Sequence, residues 1–167
     1  MHTATVTART PRQIDTVRTL FREYEAFLKV DLCFQGFEAE LAGLPGRYAP
    51  PDGALLLATV DGETAGCAAM RRHVDGICEM KRLYVRRPYL KCGLGRRLAI
   101  EIIDRARAAG YTRMVLDTLA HLQPAMDLYA DLGFQQREPY YLNPLPDVVY
   151  WELDLAGRRQ RALCSDE

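Results

Sequence analysis

A chain of 167 residues, 49% apolar and 26% charged, is long enough to bury one core and has the balance of a soluble globular domain. Its 22 basic residues match its 22 acidic ones, which gives no electrostatic footprint for nucleic acid or for an anionic membrane surface. No apolar run approaches the ~20 residues of a membrane-spanning helix, and Met1–Thr5 lacks the pattern of a signal peptide, so the expected location is cytoplasmic.

In chain order, Ala4 to Arg9 alternates as a short strand, and Pro11 then opens a helix. Ile14, Val17, Leu20, Phe21, Tyr24, Phe27 and Leu28 form its apolar stripe. A second helical piece is expected over Phe37–Leu44, followed by a loop rich in Pro and Gly up to Gly53. Asp61-Gly62 and Asp75-Gly76 separate three apolar runs and predict an antiparallel meander. The period then changes: Leu94, Leu98, Ile102 and Ala106 mark a helix that Gly110 ends. Thr112–Thr118 is the next strand, and strand, helix, strand at this spacing makes it a parallel neighbour of strand 77–86. A helix from Gln123 to Leu132 and two last strands, Phe134–Glu138 and Val148–Leu155, complete the pattern. The expected fold is α/β (α+β): a mixed, mostly antiparallel sheet of six to seven strands with a central parallel pair, flanked by about four helices. Residues 1–156 form one domain and 157–167 a frayed C-terminal tail.

Cys33, Cys67, Cys78, Cys92 and Cys164 include no C-x-x-C pair, and His2, His73 and His121 are isolated. Neither a disulfide framework nor a metal site is indicated.

The strongest local signal is Gly93-Leu94-Gly95-Arg96, where the third meander strand runs into a helix. Glycines let the backbone approach a ligand, and a helix start presents unpaired N–H groups and positive dipole, which suits phosphate. The pattern is neither a Walker loop nor a dinucleotide fingerprint.

Extended over Leu83-Tyr84-Val85-Arg86-Arg87-Pro88-Tyr89-Leu90-Lys91-Cys92-Gly93-Leu94-Gly95-Arg96, this segment resembles the cofactor motif of the GNAT superfamily of N-acetyltransferases. Asp127-Leu128-Tyr129-Ala130-Asp131-Leu132-Gly133-Phe134 is similar to the family's second hallmark, and the element order matches over residues 4–155. Leu90 stands where Gln or Arg is usual, and Cys92 where Gly or a basic residue is common. A cradle so altered must work through backbone N–H groups, helped by Arg86, Arg87, Lys91 or Arg96.

The resemblance implies transfer of an acetyl or other acyl group from acetyl-CoA to a primary amine by direct attack in a ternary complex. It assigns the co-substrate to the backbone of Leu83, Tyr84 and Val85 and to Lys91, Cys92, Gly93, Leu94, Gly95 and Arg96. Asp117-Thr118 ends the parallel strand opposite the cradle, and because open α/β sheets bind ligands at strand carboxyl ends, Thr118 and Asp117 are expected contacts of pantetheine or acceptor. Tyr129 matches the general acid that protonates the leaving thiolate; its other reading is helix-to-sheet packing. Glu79 stands where some members carry a carboxylate base, and on a two-residue period it shares a face with Lys81, Leu83 and Val85. Its other reading is a salt bridge to Lys81 or an arginine. Tyr24, Phe34, Tyr141 and Asn143 are the implied acceptor contacts, with Phe27, Phe37, Tyr48 and Tyr140 as further aromatic candidates. Partners are then acetyl-CoA and a small-molecule or peptide amine, without metal, nucleic acid or membrane, and a homodimer is compatible with the family. The alternatives are a non-catalytic acyl-CoA-binding regulatory domain, disfavoured by the presence of Glu79 and Tyr129, and a nucleotide-binding domain, disfavoured by the missing Walker residues.

Overall fold

A computed structural model of the chain describes residues 1–157, so the expected tail lies outside the described residues apart from Gly157. Seven strands and four α-helices follow in the order β1 (Thr3–Thr7), α1 (Pro11–Leu28), α2 (Phe37–Ala42), β2 (Ala54–Val60), β3 (Glu63–Val74), β4 (Ile77–Val85), α3 (Leu94–Ala108), β5 (Arg113–Leu119), α4 (Gln123–Asp131), β6 (Gln135–Arg137) and β7 (Val148–Asp154). They form one sheet in the order β1-β2-β3-β4-β5-β7-β6, antiparallel throughout except for the parallel β4–β5 pair. This is the expected architecture.

Local chemistry starts the elements where the sequence places them. The Thr10 hydroxyl accepts from the Gln13 amide at 3.2 Å, and the Gln13 side chain accepts from the Thr10 amide at 3.1 Å, a reciprocal cap that holds Pro11 at the first turn of α1. α1 then buries Ile14, Val17, Leu20, Phe21 and Leu28. The sheet has a core on each face: Leu98, Ile102, Met114, Leu116, Tyr129 and Trp151 on the α3–α4 side, and Phe21, Phe37, Leu41, Leu55 and Leu57 on the α1–α2 side. Phe37 and Tyr48 belong to this second core, which removes them from the acceptor candidates. No helix among the described residues is long and apolar enough to cross a membrane.

Two features of β4 open the middle of the sheet. Between Cys67 and Ala69 of β3, the partner on β4 moves from Tyr84 to Lys81, so β4 carries one extra residue there. Arg82 occupies this bulge with φ 59°, in the left-handed region. A Cβ on Gly66 opposite would lie 2.6 Å from the Tyr84 carbonyl oxygen, so only glycine fits beside the bulge. The bulge also overturns the expected face pattern. Leu83 and Val85 pack with the α3-side core, whereas Tyr84 packs on the α1 side and Arg82 reaches Glu40 of α2. A strict period of two fails here because one residue is inserted.

The second feature is a splay. β4 pairs with β5 only from Ile77↔Arg113 to Glu79↔Val115, while β5 stays paired with β7 to Leu119 and β4 with β3 to Val85. Beyond Glu79 the facing edges of β4 and β5 separate. A cavity of about 310 Å³ fills the gap, walled by Met80 to Val85 on one side and Leu116 to Leu119 on the other.

Candidate active site

The cavity gathers half of the site residues assigned from sequence. Tyr24, Leu83, Tyr84, Val85, Gly95, Thr118, Tyr129 and Asn143 all line it. Its floor is the open edge of β4, whose main-chain groups beyond Glu79 have no partner on β5. At one mouth, the turn after β4 leads into α3 through Lys91 at φ 62° and Gly93 at φ 81°. The Arg97 amide bonds the Gly93 carbonyl at 3.0 Å as the first bond of the helix. Among the described residues, the amides of Lys91, Cys92, Gly93, Leu94, Gly95 and Arg96 have no backbone acceptor. A run of N–H groups at a helix N-terminus fits a pyrophosphate, and an open strand edge fits the amide-bearing arm of coenzyme A. The side chains contribute less. Arg86 is tied to Glu23 at 2.7 Å and Arg96 to Asp131 at 2.6 Å, which leaves Arg87 and Lys91 exposed on the turn.

Tyr129 is buried on α4, its ring packed on Phe134 and Trp151 at centroid distances of 5.6 and 6.3 Å. Burial, with smaller effects from Tyr24 and Asp117, raises its hydroxyl well above the ordinary tyrosine range. It therefore stays a proton donor at neutral pH, and no described residue hydrogen-bonds it. Both readings of this residue coexist: it belongs to the core and it also lines the cavity.

Glu79 sits differently from a base facing the cleft. Its Oε1 accepts from Arg71 Nε at 3.0 Å and its Oε2 from the Tyr140 hydroxyl at 2.6 Å, and it is absent from the cavity lining. Burial pushes its carboxyl up, but Lys81, Arg71 and Tyr140 outweigh this and hold it below the usual range. The salt-bridge reading describes Glu79 better, with Arg71 as the partner. The carboxylate that does line the cavity is Asp117, at the open end of β5. Its Oδ2 accepts from Asn143 at 3.0 Å and from the Tyr141 hydroxyl, and its Oδ1 accepts from no described residue.

Tyr141 lies behind this wall and not on it. Its hydroxyl connects Asp117 to Asn143 and to Gln35, whose amide donates to it at 3.1 Å. Phe34 departs from its expected role: it is 38% exposed and away from the cavity, while its neighbour Gln35 turns inward. Sequence reasoning named Lys81 only as a possible partner of Glu79 and passed over Gln35 and Arg71. A lysine in a central strand carries the same signal that singled out Glu79, but Gln35, in a turn, carries none. Among the described residues, no group of three or more His, Cys, Asp or Glu is arranged to hold a metal.

Comparison with known proteins agrees with this fold. The sequence profile of the acetyltransferase (GNAT) family matches residues 15–134. An uncharacterized N-acetyltransferase of Schizosaccharomyces pombe is 44% identical over 148 residues, covering 87% of this chain and 91% of that protein. A GNAT-family acetyltransferase of Staphylococcus aureus superposes with a TM-score of 0.77 at 16% identity, over 92% of this chain and 99% of the other. An acetyltransferase from Salmonella typhimurium, solved with its cofactor acetyl-CoA, superposes at 0.69 with 20% identity, over 97% and 99%.

Proposed function

Because this chain belongs to the acetyltransferase (GNAT) family and is an acyl-CoA-dependent N-acyltransferase, we propose that it moves an acetyl group from acetyl-CoA to a primary amine by direct attack inside the β4–β5 splay. The observation that carries this reading is the splay itself. It leaves the β4 edge at Leu83, Tyr84 and Val85 unpaired with β5, between the free amides of Lys91–Arg96 and the polar end of β5 at Asp117 and Thr118.

Each requirement of the reaction has a candidate group. An alkyl ammonium with a pKa near ~10.4 is mostly protonated at neutral pH, so a base must take its proton. Asp117, with Oδ1 available, receives it directly or through water, a role that suits it better than the doubly bonded Glu79. A main-chain N–H at the end of β4 polarises the thioester carbonyl. As the N–C bond forms and the C–S bond breaks, the Tyr129 hydroxyl donates its proton to the departing sulfur. Tyr24, Tyr141 and Asn143 shape the acceptor end, and Phe34 is left out. The enzyme works in the cytoplasm on a small-molecule or peptide amine, without metal, nucleic acid or membrane.

The test is incubation of the protein with acetyl-CoA and a broad panel of amines, reading thiol release and the mass of each acceptor. Amine-dependent CoA release with an N-acetylated product is expected. Tight acetyl-CoA binding without transfer to any amine would return the chain to the class of acyl-CoA binders.

A further inference from the structure

Resting on that reading, we propose that the acceptor is an amino acid, a small molecule carrying both amine and carboxylate, and that the Lys81 ammonium holds its carboxylate. Lys81 lies on β4, is only 6% exposed and lines the cavity. Its Nζ makes a single hydrogen bond, to Gln35 Oε1 at 3.1 Å, and it forms no ion pair among the described residues. An ammonium carries three donors, and burying one without a counter-charge is costly.

Glu79 and Asp117 attract it through space, but no neighbouring carboxylate forms an ion pair with it among the described residues. Arg71 is paired with Glu79 at 3.0 Å, and Arg82 holds both oxygens of Glu40 at 3.0 and 3.1 Å. The two Glu79 oxygens are taken by Arg71 and Tyr140. Asp117 receives Tyr141 and Asn143 on one oxygen. Lys81 is thus the cation left facing the cavity with donors to spare. Burial lowers its ammonium to about 8, against the pull of Glu79 and Asp117, so it remains largely charged at pH 7.

A chain of hydrogen bonds fixes this cation relative to the base. Lys81 bonds Gln35, Gln35 bonds the Tyr141 hydroxyl, and that hydroxyl bonds Asp117. The acceptor end therefore presents a cation at one end of the chain and a carboxylate at the other. An amino acid complements both, its ammonium toward Asp117 and its carboxylate toward Lys81. A simple amine satisfies Asp117 alone and brings a second positive charge toward Lys81, so the pair discriminates against it.

The decisive panel uses unmodified protein, acetyl-CoA and matched acceptors: L-phenylalanine, L-methionine and 4-aminobutyrate, each against the amine left by its decarboxylation. At least one acid is expected to exceed its amine in kcat/KM by on the order of 10- to 100-fold, the range of a charge-assisted hydrogen bond. In Lys81→Met that ratio should collapse toward one, and Lys81→Arg should restore part of it, with thermal unfolding as the check on folding. Equal transfer to acid and amine in every pair, or preference for the amine, overturns this inference and leaves the transfer reading standing. CoA release with neither member of any pair overturns this inference, and the transfer reading falls with it only when the broad amine panel also gives no acetylated product.

Discussion

The two ends of the cavity are built in opposite ways. The cradle at Lys91–Arg96 and the open edge of β4 offer main-chain groups from one continuous stretch of sequence. The acceptor end is made of side chains from distant segments: Gln35 from the turn after α1, Lys81 from β4, Asp117 from β5, and Tyr141 and Asn143 from the loop before β7. A main-chain site should tolerate altered side chains such as Leu90 and Cys92, provided glycine keeps the turn. A side-chain site fails when one member is changed, because each holds the next.

Substitutions can break or sharpen this contrast. The largest effect is expected at Arg82, which ties the bulge to α2 through Glu40 and stacks on Phe37 at 5.2 Å. Arg82→Ala strands the Glu40 carboxylate and should lower unfolding free energy by about 3–5 kcal/mol in denaturant titration. Next, Asp117→Asn should reduce kcat on the order of 100-fold, well beyond the loss from Glu79→Gln, and rate measurements on both separate the two carboxylates. Tyr129→Phe should lower kcat at least about tenfold with little change in acetyl-CoA affinity; an unchanged kcat removes it from the mechanism.

The pH response of a carboxylate without an amine, such as 3-phenylpropanoate, probes Lys81 alone at the acceptor end. The lysine faces Glu79 and Arg82 on its own strand, Arg71 on β3 and Asp117 on β5. Its ammonium is lost as pH rises through about 8. The inhibition constant should therefore stay flat below that pH and weaken about tenfold between pH 7 and 9. The smallest effect belongs to the cradle. Leu90→Gln and Cys92→Ala should each shift the acetyl-CoA dissociation constant by no more than about fivefold, the scale of one neutral hydrogen bond.

The same contrast explains what was legible in the sequence. Glycine turns, caps and apolar periods are local, so the meander, the parallel pair and the cradle could be read from neighbouring residues. Glu79 drew notice because a carboxylate in a central strand needs a partner, but that partner, Arg71, lies across a hairpin and could not be singled out among the arginines. The bulge at Arg82 hides in an ordinary strand sequence, because its cause is the fit against Gly66 opposite. Gln35 was invisible, since only the fold brings it to Lys81 and Tyr141.

The most direct test of the division between a main-chain cofactor end and a side-chain chemical end is an acetyl-CoA titration by calorimetry of the double variant Asp117→Asn/Tyr129→Phe, set beside its rate of amine-dependent CoA release. The account predicts a dissociation constant within about twofold of the parent and release reduced at least about 100-fold. Affinity that falls in step with turnover would contradict it, because the two ends would then be one site.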